Sequence, residues 1–209
     1  MEIIPVEAGP FSTNGYFVFE EEAPYAIVID VPIDSCYQFL KLQDKYERKI
    51  KKIVLTHSHF DHIGDAYELK TNTKAEILIH PDDEYRLIKP MESLPFHLPL
   101  NIPSFKADHY INDGDLLNLV NIHFEILHTP GHTQGSICLV EKNEKVVFSG
   151  DTIFFESVGR TDLEGGSTYL LLKSIKEKIL SLPEDFKIFP GHGHSTTVGY
   201  EKRHNPFIL

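Results

Sequence analysis

The sequence predicts an α/β fold in which two β-sheets pack face to face with helices outside. Three observations carry this prediction. Short apolar strands bounded by turn signals occur in both halves of the chain. An amphipathic helix follows them in each half. A strand–loop–helix–strand order near residue 60 marks an α/β unit.

Ile3–Glu7, Tyr16–Glu20 and Ala26–Ile29 are apolar, β-branched or aromatic runs, and they read as strands. Asp34 and Ser35 then offer N-caps for a helix to about Arg48, with Phe39, Leu40 and Tyr46 on its apolar side. Lys52–Leu55 is a short strand that ends abruptly in Thr56-His57-Ser58-His59-Phe60-Asp61-His62. A helix from about Ile63 to Thr71, a strand at Glu76–His80 and a short helix at Pro81–Leu87 follow. Residues 89–104 hold Pro90, Pro95, Pro99 and Pro103 and read as a long irregular loop, either a surface connection or a lid over a site. Ile122–His128, Ser136–Glu141 and Val146–Ser149 are strands again. Ser167 caps a helix from about Tyr169 to Leu182, with Leu170, Leu171, Ile175 and Ile179 on one face. Lys187–Phe189 is a last strand, closed by Pro190-Gly191-His192-Gly193-His194.

Composition narrows the function. The 209 residues suit one large domain or two small ones. Twelve histidines stand against two cysteines. A chain so poor in thiolate is not a zinc finger, a disulfide-stapled toxin or an iron–sulfur carrier. Any metal must be held by imidazole and carboxylate. Cys36 and Cys138 are expected to be buried small apolar residues of a reducing compartment. Net charge is −11, which repels phosphate backbones and anionic membranes, so neither nucleic acid nor membrane is the expected partner. No basic, apolar leader is visible, and no stretch approaches the roughly 20 apolar residues of a membrane span. The expected setting is the cytoplasm.

Four strand ends share one habit: each leads into a loop that carries histidine or aspartate. After Leu55 come His57, His59, Asp61 and His62; after Leu127, His132; after Phe148, Asp151; after Phe189, His192. Strand ends on one edge of a sheet converge in space, and open α/β folds place their sites there. His57 and His59 lie two apart in an extended segment, so their rings point the same way and can reach one metal. Asp61 and His62 lie where the chain turns into a helix and can face a second. Asp151 can bridge two ions with its two oxygens. Four ligand-type residues in the six positions from His57 to His62 are a specific metal signal.

This set, Thr56 to His62 with His132, Asp151 and His192 downstream, resembles the signature of the metallo-β-lactamase superfamily. The resemblance implies a four-layer αββα sandwich with a dinuclear metal site at the sheet edges. It implies that His57, His59 and His132 hold one divalent ion and Asp61, His62 and His192 the other, with Asp151 bridging. Within the superfamily the chain is most similar to glyoxalase II-like hydrolases of the compact bacterial type. Thr129-Pro130-Gly131-His132-Thr133, Gly150-Asp151-Thr152-Ile153-Phe154, Gly159-Arg160-Thr161-Asp162 and Pro190-Gly191-His192-Gly193 carry that likeness. It implies one domain over residues 1–209, without the C-terminal helical domain that binds glutathione in longer members. Arg160 matches a basic substrate-binding residue of that group, and the tyrosines used nearby are replaced by Asp162 and His194.

The reaction this resemblance implies is hydrolysis of an S-acylglutathione-type thioester by a hydroxide held between the metals, with Asp61 as its orienting or proton-accepting group. The metals are expected to be zinc first, with iron or manganese as alternatives, because imidazole and carboxylate accept all three. Arg160 and His194 are the expected substrate-binding residues, and a monomer or small homo-oligomer the expected assembly. The competing reading is a persulfide dioxygenase with one iron on His57, His132 and Asp151, since that family also carries a Gly-Arg-Thr-Asp stretch. Of the other histidines, His128 is expected to orient a ligand, whereas His80, His97, His109, His123 and His204 are expected at the surface or in satisfied structural positions.

Overall fold

Side-chain alternation along the strands divides the apolar residues among three main cores, and that division sets the architecture. A computed structural model describes residues 1–93 and 100–208. The first sheet runs β1 (Glu2–Ala8), β2 (Thr13–Phe19), β3 (Tyr25–Ile29), β4 (Lys49–Val54), β5 (Glu76–Ile79), β6 (His109–Tyr110). β1, β2 and β3 pair antiparallel, and β3 through β6 pair parallel. The second half supplies β7 (Leu116–Leu119), β8 (Ile122–His128), β9 (Ile137–Glu141) and β10 (Val146–Gly150). A hairpin of β11 (Ile153–Phe154) and β12 (Ser157–Val158) precedes β13 (Lys187–Pro190) and β14 (Thr196–Thr197). The second sheet has the order β14-β13-β10-β9-β8-β7.

Neighbouring strand residues point to opposite faces. In β2, Tyr16 and Val18 face the second sheet and meet Phe124, Ile126, Leu139 and Phe148 there. Phe17 and Phe19 face the other way, toward helices α1 (Cys36–Tyr46), α2 (Phe60–Ile63), α3 (Ala66–Thr73) and α4 (Glu84–Ile88). On the far side, Val140, Val147 and Ile188 pack under α5 (Thr168–Ser174) and α6 (Val198–His204). Burying one large apolar side chain contributes on the order of 1.5–3 kcal/mol, so both faces of each sheet must be covered. The four-layer αββα sandwich is the result.

The expected strands and main helices form, with four departures. The helix expected over Ile63–Thr71 is two helices, α2 and α3. The Asp65 amide leaves the helical ladder to donate to the Val31 carbonyl at 3.2 Å. A Cβ on Gly64 would lie 2.3 Å from Ile33, so the chain turns there against a fixed neighbour. Neither Asp34 nor Ser35 caps α1 through its side chain; Asp65 accepts the Cys36 amide instead, at 2.9 Å. The helix at Ser167 is capped as expected, Ser167 Oγ accepting from the Leu170 amide, but it continues from Ser174 as a π-helical turn, Ile175–Ile179. Finally, α6 and the short strands β6, β7 and β14 lack a local signal strong enough to be read. Cys36 and Cys138 are buried and unpaired, as expected. The residues 94–99 of the proline-rich loop, His97 among them, lie outside the described residues. Among the described residues, no helix is long and apolar enough to cross a membrane.

Candidate metal centre

The site is built where β3, β4, β8, β10 and β13 end. β4 does not run on because Thr56, two residues past its end, is claimed by Asp30, just after β3. Thr56 donates its amide and its hydroxyl to the Asp30 carboxylate, each at 2.7 Å. Asp30 adopts a left-handed φ of 55° to present that carboxylate. The Thr56 carbonyl accepts from the Ile137 amide of the other sheet at 2.9 Å, which ties the two sheets together beside the site. Gly191 permits a close approach of the loops at the cluster. A Cβ there would sit 2.2 Å from Asp151 Oδ1 and 2.7 Å from the His62 ring.

Seven of the nine side chains singled out from the sequence converge. His132 Nε2 lies 2.8 Å from His59 Nδ1 and 3.2 Å from His57 Nε2. His192 Nε2 lies 3.3 Å from His62 Nε2 and 3.3 Å from Asp61 Oδ2, and His62 Nε2 lies 3.7 Å from that oxygen. Asp151 stands between the two sets. Its Oδ2 is 3.4 Å from His132 Nε2 and 3.5 Å from His192 Nε2, and its Oδ1 is 3.3 Å from His62 Nε2.

The outward-facing ring atoms are held by partners that point the other nitrogen inward. His132 Nδ1 donates to the Arg160 carbonyl at 2.8 Å, and His62 Nδ1 to Asp30 Oδ2 at 2.8 Å. His192 Nδ1 donates to the Phe11 carbonyl at 3.1 Å. Thr13 donates its hydroxyl to Asp61 Oδ2 at 2.9 Å. Asn14 donates to the Pro190 and Gly193 carbonyls, and Tyr16 donates to the Pro190 carbonyl at 2.6 Å, which pins the loop of His192. Such partners orient metal ligands and raise their basicity.

The electrostatics of the two sets differ. Burial, reinforced by neighbouring imidazoles, holds His57 and His59 well below the ordinary histidine range, and burial also lowers His132. Burial opposes charge on His62 as well, but the carboxylates of Asp151, Asp61 and Asp30 outweigh it and hold His62 well above that range. His192 is raised by Asp61 and Asp151 against the same opposition from burial. Burial works against the charge on Asp61 too, yet His62 and His192 bring it down to about 2, and Asp151 lies lower still beside His62, His132 and His192. Three neutral imidazoles thus face two ionised carboxylates that share protons with two more.

This arrangement suits a divalent ion in each set. A tetrahedral ion with ligands about 2.0–2.1 Å away separates neighbouring donor atoms by roughly 3.3 Å, close to the spacings above. His57, His59 and His132 form one such group, and Asp61, His62 and His192 another. Asp151 Oδ1 is buried without a hydrogen-bond partner, a costly arrangement unless something else takes its lone pair. Asp30 also lies near His57 and His62. Its oxygens are taken by Thr56 and His62, which makes it a support rather than a donor. His80, Asp82 and His128 form a further group. There the two rings stack 4.0 Å apart at 9°, so their in-plane lone pairs run parallel and do not meet.

Two of the nine fall elsewhere. Arg160 lines the cavity of about 190 Å³ above the cluster, together with Phe11, Phe60, Leu163 and the donors. Its guanidinium is exposed and grips Asp162 through two hydrogen bonds of 2.7 and 2.6 Å. His194 is exposed and outside the residues lining that cavity. The Gly193 carbonyl beside it is held by Asn14, and the backbone has turned its side chain outward. His128 does not orient a ligand: it stacks on His80 and donates to the Gln134 carbonyl at 2.7 Å. His80 is buried, while His109, His123 and His204 are exposed. Asp30, Thr13, Asn14, Tyr16, Asp83 and Arg86 were not read from the sequence. Only Asp30 carried a signal, because it too ends a strand.

A two-sheet sandwich with clustered imidazoles and carboxylates at one edge defines a metal-dependent hydrolase scaffold. The chain belongs to the metallo-β-lactamase superfamily, whose family model matches residues 8–199. It is 38% identical to hydroxyacylglutathione hydrolase GloC of Haemophilus influenzae, over 100% of this chain and 97% of that one. Among solved structures it is similar to the B3 metallo-β-lactamase BLEG-1, with a TM-score of 0.93 and 34% identity over 100% of both chains. It is also similar to TTHA1623 in a di-iron-bound form, with a TM-score of 0.86 and 34% identity over 98% and 99% of the two chains. Membership implies divalent-metal binding.

Proposed function

We propose that the protein is a glyoxalase II-like thioesterase that cleaves S-acylglutathione-type thioesters with two divalent ions. In this reading His57, His59 and His132 hold one ion, Asp61, His62 and His192 the other, and Asp151 bridges them. The observation that supports it best is Asp151, whose two oxygens reach donors of both sets. The likeness to the Haemophilus hydrolase over the full chain supports the substrate class. Bound there, the ions supply Lewis acidity toward a carbonyl oxygen and a nucleophile at neutral pH.

The chain's own residues do the rest. Asp61, ionised at neutral pH and held by Thr13, orients the attacking water. Phe11, Phe60 and Leu163 form an apolar wall against the acyl group and exclude bulk water. Arg160, at the mouth, meets an anionic part of the substrate by exchanging Asp162 for it. A thiolate leaves readily because thiol pKa is about 8.5, so no dedicated acid is required.

The dioxygenase reading uses one iron on His57, His132 and Asp151. It leaves His59, Asp61, His62 and His192 without a task, although all four belong to the same cluster. The full-length likeness to a B3 metallo-β-lactamase favours β-lactam hydrolysis as a second reading. Metal analysis of purified protein, alongside assays with S-lactoylglutathione and a chromogenic cephalosporin, tests all three. Two metals per chain and thioester hydrolysis support the proposal. One iron with oxygen uptake on glutathione persulfide overturns it, and so does hydrolysis of the cephalosporin alone.

A further inference from the structure

We propose that Asp83, with Arg86 as its counter-ion, is the positioning residue of the three-imidazole half of the centre, and that it sets metal occupancy there separately from the other half. The inference rests on the reading of the cluster as a two-metal centre. It concerns a group outside the donor set and outside the reaction.

Asp83 lies in the turn between β5 and α4 and is fully buried. Its Oδ2 accepts three hydrogen bonds: from the Ser58 amide at 2.8 Å, the Ser58 hydroxyl at 2.9 Å and the Thr133 hydroxyl at 2.9 Å. Its Oδ1 accepts the Gly135 amide at 2.8 Å. Ser58 sits between His57 and His59, and Thr133 follows His132. One carboxylate therefore clamps together the two loops that supply all three imidazoles of one set. Gly135 fits directly on it, since a Cβ there would lie 2.8 Å from three Asp83 atoms.

Arg86 completes the clamp. It is buried, and its Nη1 lies 3.6 Å from Asp83 Oδ1 and 3.4 Å from Ser58 Oγ. Its other amino group donates to the Glu164 carbonyl. That loop also presents the Arg160 carbonyl that fixes the His132 ring. None of these bonds reaches Asp61, His62 or His192. Those three are held instead by Thr13, Asp30 and the Phe11 carbonyl. Asp83 thus serves one half only, whereas Asp30 reaches both, directly at His62 and at His57 through Thr56, whose hydroxyl lies 3.1 Å from His57 Nδ1.

The 2.8 Å approach of His59 to His132 joins loops 73 residues apart in the chain. It survives only while those loops keep their register, and the bonds that hold them to the Asp83 carboxylate are charge-assisted, the strong kind. Losing an outer partner of a metal ligand typically weakens metal binding about 10–100-fold.

The test is zinc titration of stripped protein against a chromophoric chelator, with nitrogen NMR of the histidine rings to report which half fills. Asp83→Asn is expected to weaken the His57–His59–His132 half about 10–100-fold and to leave the other half nearly unchanged. Ser58→Ala, which removes one of the four bonds, is expected to weaken the same half by a smaller factor. Equal weakening of both halves, or loss from the Asp61–His62–His192 half first, overturns the proposal. If Asp83→Asn does not fold, Ser58→Ala decides by the same criterion, and unchanged binding by it also overturns the proposal. The readout is metal binding, so a wild-type chain that fills both halves yet cleaves no thioester refutes the thioesterase reading while the anchor is judged on its own result.

Discussion

Asp30→Asn should act through a ring that it never displaces. The Asp30 carboxylate accepts three hydrogen bonds: the Thr56 amide on Oδ1, and the Thr56 hydroxyl and His62 Nδ1 on Oδ2. An asparagine has one oxygen and one donor group. If its oxygen takes the Oδ2 position, its amide nitrogen faces the Thr56 N–H, and a buried backbone donor is orphaned at a cost of about 1–3 kcal/mol. If it turns the other way, it faces His62 Nδ1–H, and the ring must move its proton to Nε2. That proton then points at Asp151 and His192, and His62 can no longer donate a lone pair there. A protein of this size loses about 2–4 °C of melting temperature per kcal/mol. The first orientation therefore predicts a drop of roughly 2–12 °C by calorimetry. The second predicts about 10–100-fold weaker metal binding, confined to the His62 half and read by titration. Wild-type melting temperature together with wild-type affinity at both halves would refute this reasoning.

Four further outcomes follow from the same geometry. Asp151→Ala should lose bound metal and activity together while the chain still folds; full metal content with retained activity would rule out its bridging role. Metal uptake at pH 7 should release protons, because His62 and His192 are held above the ordinary histidine range in the metal-free chain. Apparent affinity should accordingly rise with pH, and calorimetry in buffers of different ionisation heat should show it; zero proton release would contradict the charge assignment. Arg160→Ala should raise KM with little change in kcat or metal content, since the exposed guanidinium contacts Asp162 rather than the donors; a fall in metal content would place it in the centre itself. Phe124→Ala, which empties a fully buried position between the sheets, should cost about 3–5 kcal/mol by denaturant unfolding.

Much of the fold was legible because its signals are local. β2 and β3 carry the apolar runs Tyr16–Phe19 and Ala26–Ile29, and Ser167 announces its helix by capping it. The break at Gly64–Asp65 was not legible, because it depends on Ile33 and Val31, more than thirty residues earlier in the chain. The clustering of imidazoles and carboxylates was legible because their types and strand-end positions are written in the chain. His128 and His194 misled for the same reason. Both lie near donors in sequence, yet one is turned away by its stacking on His80 and the other by the backbone that Asn14 holds.

The sequence by itself determined the chemical inventory: imidazole and carboxylate in place of thiolate, each at the end of a strand. Those properties are fixed by covalent spacing and by the periodicity of a single segment. Only the tertiary structure decided which donors meet, which nitrogen each ring presents, and which buried carboxylates hold them. The reason is that a contact such as His57 to His132, 3.2 Å apart across 75 residues, exists only through the packing of two sheets on a shared core. The tautomers are then set by whichever oxygen that packing leaves beside each ring.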